Sequence, residues 1–316
     1  MKKEQKFLSA DAFKKAALFL NTNARHLERA RFENIFASGS VGNVWIELLK
    51  FQNADGGFGH ALEPDLRAPE SSALCTSVAF QIMRCHKIPE REPFVRHAIR
   101  YLADTLDRNA LHWRIIPEGI DAYPHAPWWN QEGREAGFNA FSLNPTAEIL
   151  GIVLDGCVDD FGRDIVSRHM DRVIDKLDSV QKIEMHDLLC CLRLLETDNL
   201  PSTVRGRILE ALKRLVSGSI ATNPDQWKGY CLRPLQVIHR PDSPFMEGLE
   251  EAVALNLDYE IEEQMENGTW SPTWSWGDQF PQAWEEAKRE WTGVLTLEKL
   301  ITLKHFNRIA PIAPRQ

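Results

Sequence analysis

The chain has no run of about 18 apolar residues, the length that suggests a membrane span. It has no basic excess either. Against 37 Lys and Arg stand 45 Asp and Glu, a net charge of −8, which argues against a general nucleic-acid binder and against docking on anionic membranes. No P-loop, G-x-S-x-G, H-E-x-x-H or G-x-G-x-x-G motif occurs, which argues against nucleotide binding, serine hydrolysis and zincin chemistry. The six cysteines (Cys75, Cys85, Cys157, Cys190, Cys191, Cys231) form no C-x-x-C pair. Most lie in apolar helical patterns and read as buried thiols rather than a disulfide frame. Convincing alternating strands are absent too.

What is present is helical periodicity. Ala10–Arg29 reads as one amphipathic helix. Asp11, Lys14 and Lys15 interrupt its apolar stretch, and no clean small-residue cleavage site follows, so it is not read as a signal peptide and the expected location is cytoplasmic. Val41–Phe51 is a second helix, ending in an N-A-D-G-G turn where Gly56 and Gly57 can take positive φ. Ser71 or Ser72 caps a helix through about His86, and Phe94–Asp107 follows two prolines. Residues 108–143 carry prolines, glycines and aromatics with little periodicity, which predicts an ordered, packed excursion. Asn144-Pro145-Thr146 opens the next helix with a cap and a proline. Further helices are expected at Arg163–Gln181, Met185–Glu196, Thr203–Ser219, Tyr230–Ile238, Phe245–Met265 and Thr296–Phe306.

These segments alternate in character. Arg163–Gln181, Thr203–Ser219 and Phe245–Met265 are charged and amphipathic, as outer helices are. Gly151–Leu154, Leu188–Leu195 and Tyr230–Ile238 are apolar nearly all round, as inner helices are. The expected fold is all-α: about six helical hairpins closed into a double ring, an α/α toroid, as one domain over residues 1–316. An open solenoid would show a clearer repeat.

The stretch Gln52–Gly59, QNADGGFG, resembles the Q-x-x-D-G-G-F/W-G element of the terpenoid cyclase and protein prenyltransferase superfamily, an α/α toroid group. Gln52, Asp55, Gly56, Gly57, Phe58 and Gly59 match it. Glu266-Asn267-Gly268-Thr269-Trp270 reads as a poorer echo that keeps N-G-x-W without the leading Gln. The resemblance implies a structural turn between an outer and an inner helix, with Asp55 capping it, and a small soluble enzyme acting on an apolar or isoprenoid substrate. The chain departs from the family in lacking the D-x-D-D acid motif of class II cyclases. Asp155-Gly156-Cys157 has the D-x-C spacing of prenyltransferase zinc ligands, with His186 or His239 downstream. No metal and no cofactor are assigned, and whether Asp155, Cys157 and His186 hold a metal stays open.

Two stretches could carry chemistry. In His60–Arg67, Glu63 and Asp65 with His60 and Arg67 could form a general acid and its partners, with Arg67 reaching substrate; alternatively Arg67 pairs with one of the acids and stiffens the loop. In the Trp-rich segment 266–291, Trp270, Trp274 and Trp276 offer π faces for cations or sugar rings, or simply pack, and Asp278 is a further acid. Trp284 and Trp291 lie on helical segments and read as packing. Trp128 and Trp129 in the excursion, Glu148 and His186 on inner helices, and Tyr230 at the start of another complete the expected lining. Glu63 or Asp65 with Asp278 could equally serve a carbohydrate-active α/α barrel, a lyase or a glycosidase. A toroid whose acids are all paired would be a non-catalytic binder. The expected partner is a small molecule, with no nucleic acid and no membrane span; no feature speaks to oligomeric state.

Overall fold

The computed structural model describes residues 5–156 and 162–311. It is all-helical: among the described residues the only β pairing is isolated bridges. The helices are α1 Ala10–Thr22, α2 His26–Phe36, α3 Val41–Leu48, α4 Ala73–Cys85, α5 Pro93–Asp104, α6 Glu135–Phe138, α7 Leu143–Gly156, α8 Arg163–Ser179, α9 Met185–Leu194, α10 Ser202–Ser219, α11 Pro234–Val237, α12 Glu250–Glu262 and α13 Pro281–His305. They fall into two compact units. One takes Met1–Val44, Ile220–Ser275 and Glu285–Gln316; the other takes Trp45–Ser219 and Trp276–Trp284.

Several boundaries differ from the sequence reading. Ala10–Arg29 is two helices rather than one. Asn21 and Thr22 turn their side chains back onto the carbonyls of Ala17 and Leu18, and Thr22 also donates to Asn23. Such local bonds compete with helix continuation, and α2 restarts at His26. Tyr230–Ile238 shrinks to the four residues of α11, because Leu232 is bridged to Ile220 and Pro234 sets the helix start. The final helix is far longer than expected and begins at Pro281. Within the excursion at 108–143, Trp113, Ile116, Ile120 and Ala126 are buried, whereas residues 132–137 are exposed.

In the unit built on Trp45–Ser219, α7 packs against α4, α5, α8 and α9, and α10 packs against α8 and α9. Ala147, Ile149, Leu150, Ile152 and Val153 are all buried, so α7 is covered nearly all round. The charged helices α8 and α10 bury one stripe each, through Val173, Ile174 and Leu177 and through Leu212, Leu215 and Val216. At about 1.5–3 kcal/mol per fully buried aliphatic side chain, these stripes hold the two helices down. In the other unit, α1 packs on α2 and α11 on α12. Phe13, Phe32 and Phe36 form one aromatic cluster with centroids 5.2–6.1 Å apart. Residues on either side of α1 and α13 join in a bridge: Leu8 N donates to Arg308 O and Ala310 N to Leu8 O.

Each unit contains one copy of the same turn. In the first copy Gln52 Nε2 donates to Gly56 O (2.8 Å) and to Phe94 O (2.9 Å) at the start of α5. The leading Gln of the second copy is Gln264, two residues upstream of where the echo was read. Its Nε2 donates to Gly268 O (2.8 Å) and to Ala12 O (3.3 Å) at the start of α1. Asn53 N donates to Gly57 O and Met265 N to Thr269 O, both at 2.9 Å. Asp55 and Asn267 each accept a backbone N–H two residues on. Phe58 N donates to Thr76 Oγ1 on α4, and Trp270 N to Thr296 Oγ1 on α13. Gly56 has φ +91° against His97 of α5, and Gly268 has φ +88° against Lys15 and Ala16 of α1. A looser third turn ends at Trp113. Its indole donates to Leu102 O of α5, as Trp270 donates to Glu260 O of α12, and its ring packs on His169 of α8.

Candidate functional site

The turn that follows Gly59 builds the first part of the site. His60 and Ala61 both have positive φ (53° and 60°), a sharp reversal that carries Glu63, Pro64 and Asp65 inward, where all three are buried. The segment then pairs with the excursion through Ala126 N to Asp65 O (2.9 Å) and Arg67 N to Pro124 O (3.1 Å). Trp276 closes over it, with its indole N–H donating to Asp65 Oδ1 at 2.7 Å. Trp276 also lies 5.6 Å, centroid to centroid, from Trp284.

Beside this pair lies a buried histidine that the sequence reading missed. His125 Nδ1 donates to Tyr123 O (2.6 Å), and Nε2 lies 2.7 Å from Asn130 Oδ1 and 3.3 Å from Gln279 Nε2. Gln279 Nε2 donates to Asn130 Oδ1 at 2.9 Å. Asp121 stands 3.5 Å from His125 Nε2 and accepts the backbone N–H groups of Gln131 and Glu132. Phe280 packs on the His125 ring at 5.5 Å. The result is a carboxylate oriented by an indole, next to an imidazole with its tautomer set by a carbonyl. Groups fixed in this way can hold a ligand or move a proton.

A second polar cluster joins α4, α7 and α9. Glu148 Oε2 accepts from Gln81 Nε2 (3.2 Å) and Arg193 Nη1 (3.1 Å), with Cys190 Sγ 3.8 Å away. Burial pushes the Glu148 carboxyl above its ordinary value, against the pull of Arg193 and Gln81. Burial, with Glu148 alongside, raises the Cys190 thiol well up, which leaves it protonated and a poor nucleophile. Asp187 is raised by burial, while the Asn144 N–H and Ser142 Oγ–H pull it back.

The predicted residues therefore separate. Glu63, Asp65 and Trp276 gather in one unit with Trp128, Trp129 and Asp278 on adjoining segments. Asp278 is exposed. His60 is exposed and bonds to Asn53 Oδ1 as part of the turn. Arg67 contributes its backbone to the pairing with Pro124. Glu148 sits in the second cluster of the same unit. His186 is exposed, and its backbone N–H is capped by Glu184. In the other unit Trp270 is buried with its indole on Glu260 O, Trp274 packs edge-on against Trp291, and Tyr230 is 79% exposed, ahead of the shortened α11. Cys157 lies outside the described residues. Asp155 is paired with Arg84 at 3.0 Å, and no cluster of three or more His, Cys, Asp or Glu among the described residues could hold a metal. No helix among them is long and apolar enough to cross a membrane.

No family model, curated protein or solved structure matches this chain.

Trp276→Phe is expected to lower stability by about 1–3 kcal/mol, because the N–H to Asp65 is lost together with one ring of a buried indole. Urea midpoints of the two proteins measure it; an unchanged midpoint would show that the indole does not hold the carboxylate.

Proposed function

We propose that the chain is an α/α toroid of the terpenoid cyclase type. In this reading helices consecutive in the chain pair as outer–inner hairpins, and α1 on α2 and α5 on α7 are packed as such pairs. The observation that supports this reading is the turn built twice with the same bonds. At the corner of one hairpin, the Gln–Gly turn clamps the start of the next outer helix. For α3–α4 that helix is α5; for α12–α13 it is α1. A ring requires such a return to α1, whereas an open solenoid leaves its last repeat without a successor.

In a ring of this kind the loops before the inner helices gather at one end. We take the network of Asp65, Trp276, His125, Asn130 and Gln279 as the centre of a small-molecule site there. A carboxyl group of Glu63 or Asp65 is the acid that starts the reaction.

The test is mass spectrometry of small molecules carried through purification of the native protein, repeated on Glu63→Gln and Asp65→Asn. A bound molecule is expected whose identity or occupancy changes in the variants, as when substrate accumulates on a disabled acid. No bound molecule, with variants indistinguishable from the parent, would remove the case for a site at this loop.

A further inference from the structure

We infer that the rim of this network binds carbohydrate, with Trp128 and Phe280 as stacking faces and Asn130, Gln279 and Asp278 as partners for sugar hydroxyls. The inference rests on the site reading above and gives it a substrate class other than isoprenoid.

Trp128 is 39% exposed and Phe280 36%. Phe280 directly follows Gln279, and Trp128 precedes Asn130 by two residues, so both rings belong to the segments that carry the amide network. Both are also held in place. Trp128 lies in the 3-10 turn Pro127–Trp129, opened by Pro127 and tied by Trp129 N to Ala126 O, and Arg134 donates to its carbonyl. Phe280 has φ +47°, a left-handed conformation that is rare for a bulky side chain. Its neighbour Gln279 is bonded to Asn130 and to His125 O, and the Phe280 carbonyl accepts Trp284 N–H. Strain of this kind persists where the surroundings over-determine it, and it clusters at ligand sites.

The polar side chains on the same two segments are the Asn130 and Gln279 amides, bonded to each other, and the exposed Asp278. A sugar ring offers C–H groups on its face and hydroxyls around its edge. The face stacks on an aromatic ring, and the edge exchanges hydrogen bonds with Asn130, Gln279 and the exposed Asp278. An isoprenoid chain has nothing to offer these groups and would strip them of water without return.

The experiment titrates the full-length protein by tryptophan fluorescence and calorimetry. The carbohydrate probes are maltohexaose, cellohexaose, xylohexaose, chitohexaose and hexagalacturonate, and farnesyl diphosphate and farnesol are the isoprenoid probes. Each is taken to about 10 mM where soluble, which covers millimolar affinities. At least one hexasaccharide is expected to bind. Trp128→Ala should weaken it roughly tenfold or more, about 1.4 kcal/mol, while Trp128→Phe, which keeps a ring, retains most of the affinity. Phe280→Ala should act in the same direction. Circular dichroism checks that these exposed-site variants stay folded. Binding of an isoprenoid and of no sugar would overturn the carbohydrate inference and leave the site reading standing. Binding of neither class, together with no ligand carried through purification, would overturn both. Sugar binding that is indifferent to both alanine variants would overturn the placement at this rim.

Discussion

Gly56→Ala and Gly268→Ala are each expected to destabilise the protein by about 2–6 kcal/mol. Two costs add. At φ +91° and +88° an alanine sits in backbone that only glycine occupies freely, at about 1–3 kcal/mol. The new Cβ also meets backbone: the carbonyl of His97 in one case, the amide of Ala16 in the other. Neither can swing aside as a side-chain tip would, and overpacking of this kind costs about 1–3 kcal/mol more. Set against a typical stability of about 5–15 kcal/mol, either change takes a large share. Gly206→Ala is the control. Gly206 lies inside α10 with nothing near the added Cβ, so the change should stabilise by roughly 0.5–1 kcal/mol. Urea denaturation of the three variants decides. Gly56→Ala and Gly268→Ala matching the parent would mean that the two turns do not clamp their helices.

Arg193→Ala is expected to cost about 3–5 kcal/mol at neutral pH, because it strands a carboxylate that is only 2% exposed. The double change Arg193→Ala with Glu148→Gln should recover part of that loss, since no buried charge is left behind. The pH dependence has a definite sign. Burial raises the folded-state value of Glu148 above its unfolded one, so the native protein holds that proton more tightly. The corresponding stability is fully present below the unfolded value and is lost as pH rises through the folded one. Glu90, raised by burial and by Asp155, and Asp187 act in the same direction. The parent should therefore gain stability on going from pH 7 toward about pH 5 through these groups. In Arg193→Ala the cation that pulls Glu148 down is gone, so its penalty should shrink over the same interval. Denaturant midpoints at the two pH values measure both effects; a penalty equal at both would mean that Glu148 does not carry the charge.

The parts of the fold that could be read from the sequence are those set by near neighbours. Ser72 caps α4 as expected, and Asp55 caps its turn by accepting Gly57 N–H. The Asn21–Asn23 run that ends α1 was equally local, but the apolar spacing on either side masked it. Gln264 was missed because the echo was read from its acid, Glu266. Counting back four residues from the glycine finds the Gln in both turns. The site was different. Asp65 and Trp276 are 211 residues apart, and His125 and Gln279 are 154 apart. Composition marked both stretches as unusual, but nothing in one announces the other. Glu148 was singled out, yet its partners Gln81 and Arg193 sit on other helices and carry no pattern that links them to it.

The bridge between Leu8 and Ile309 has a kinetic meaning. Its unit is assembled from three separated stretches, whereas most of the other is the single run Trp45–Ser219. That run can pack as soon as it has been synthesised. The bridge closes a span of roughly 300 residues, at about 5 kcal/mol of chain entropy, and the contact of α1 with the turn at Gln264 spans 252. Contacts of such long reach slow folding. The order that follows is one half early and the other late: α1 can pack on α2 at once, where Phe13 meets Phe32 and Phe36, but it waits for the turn at Gln264.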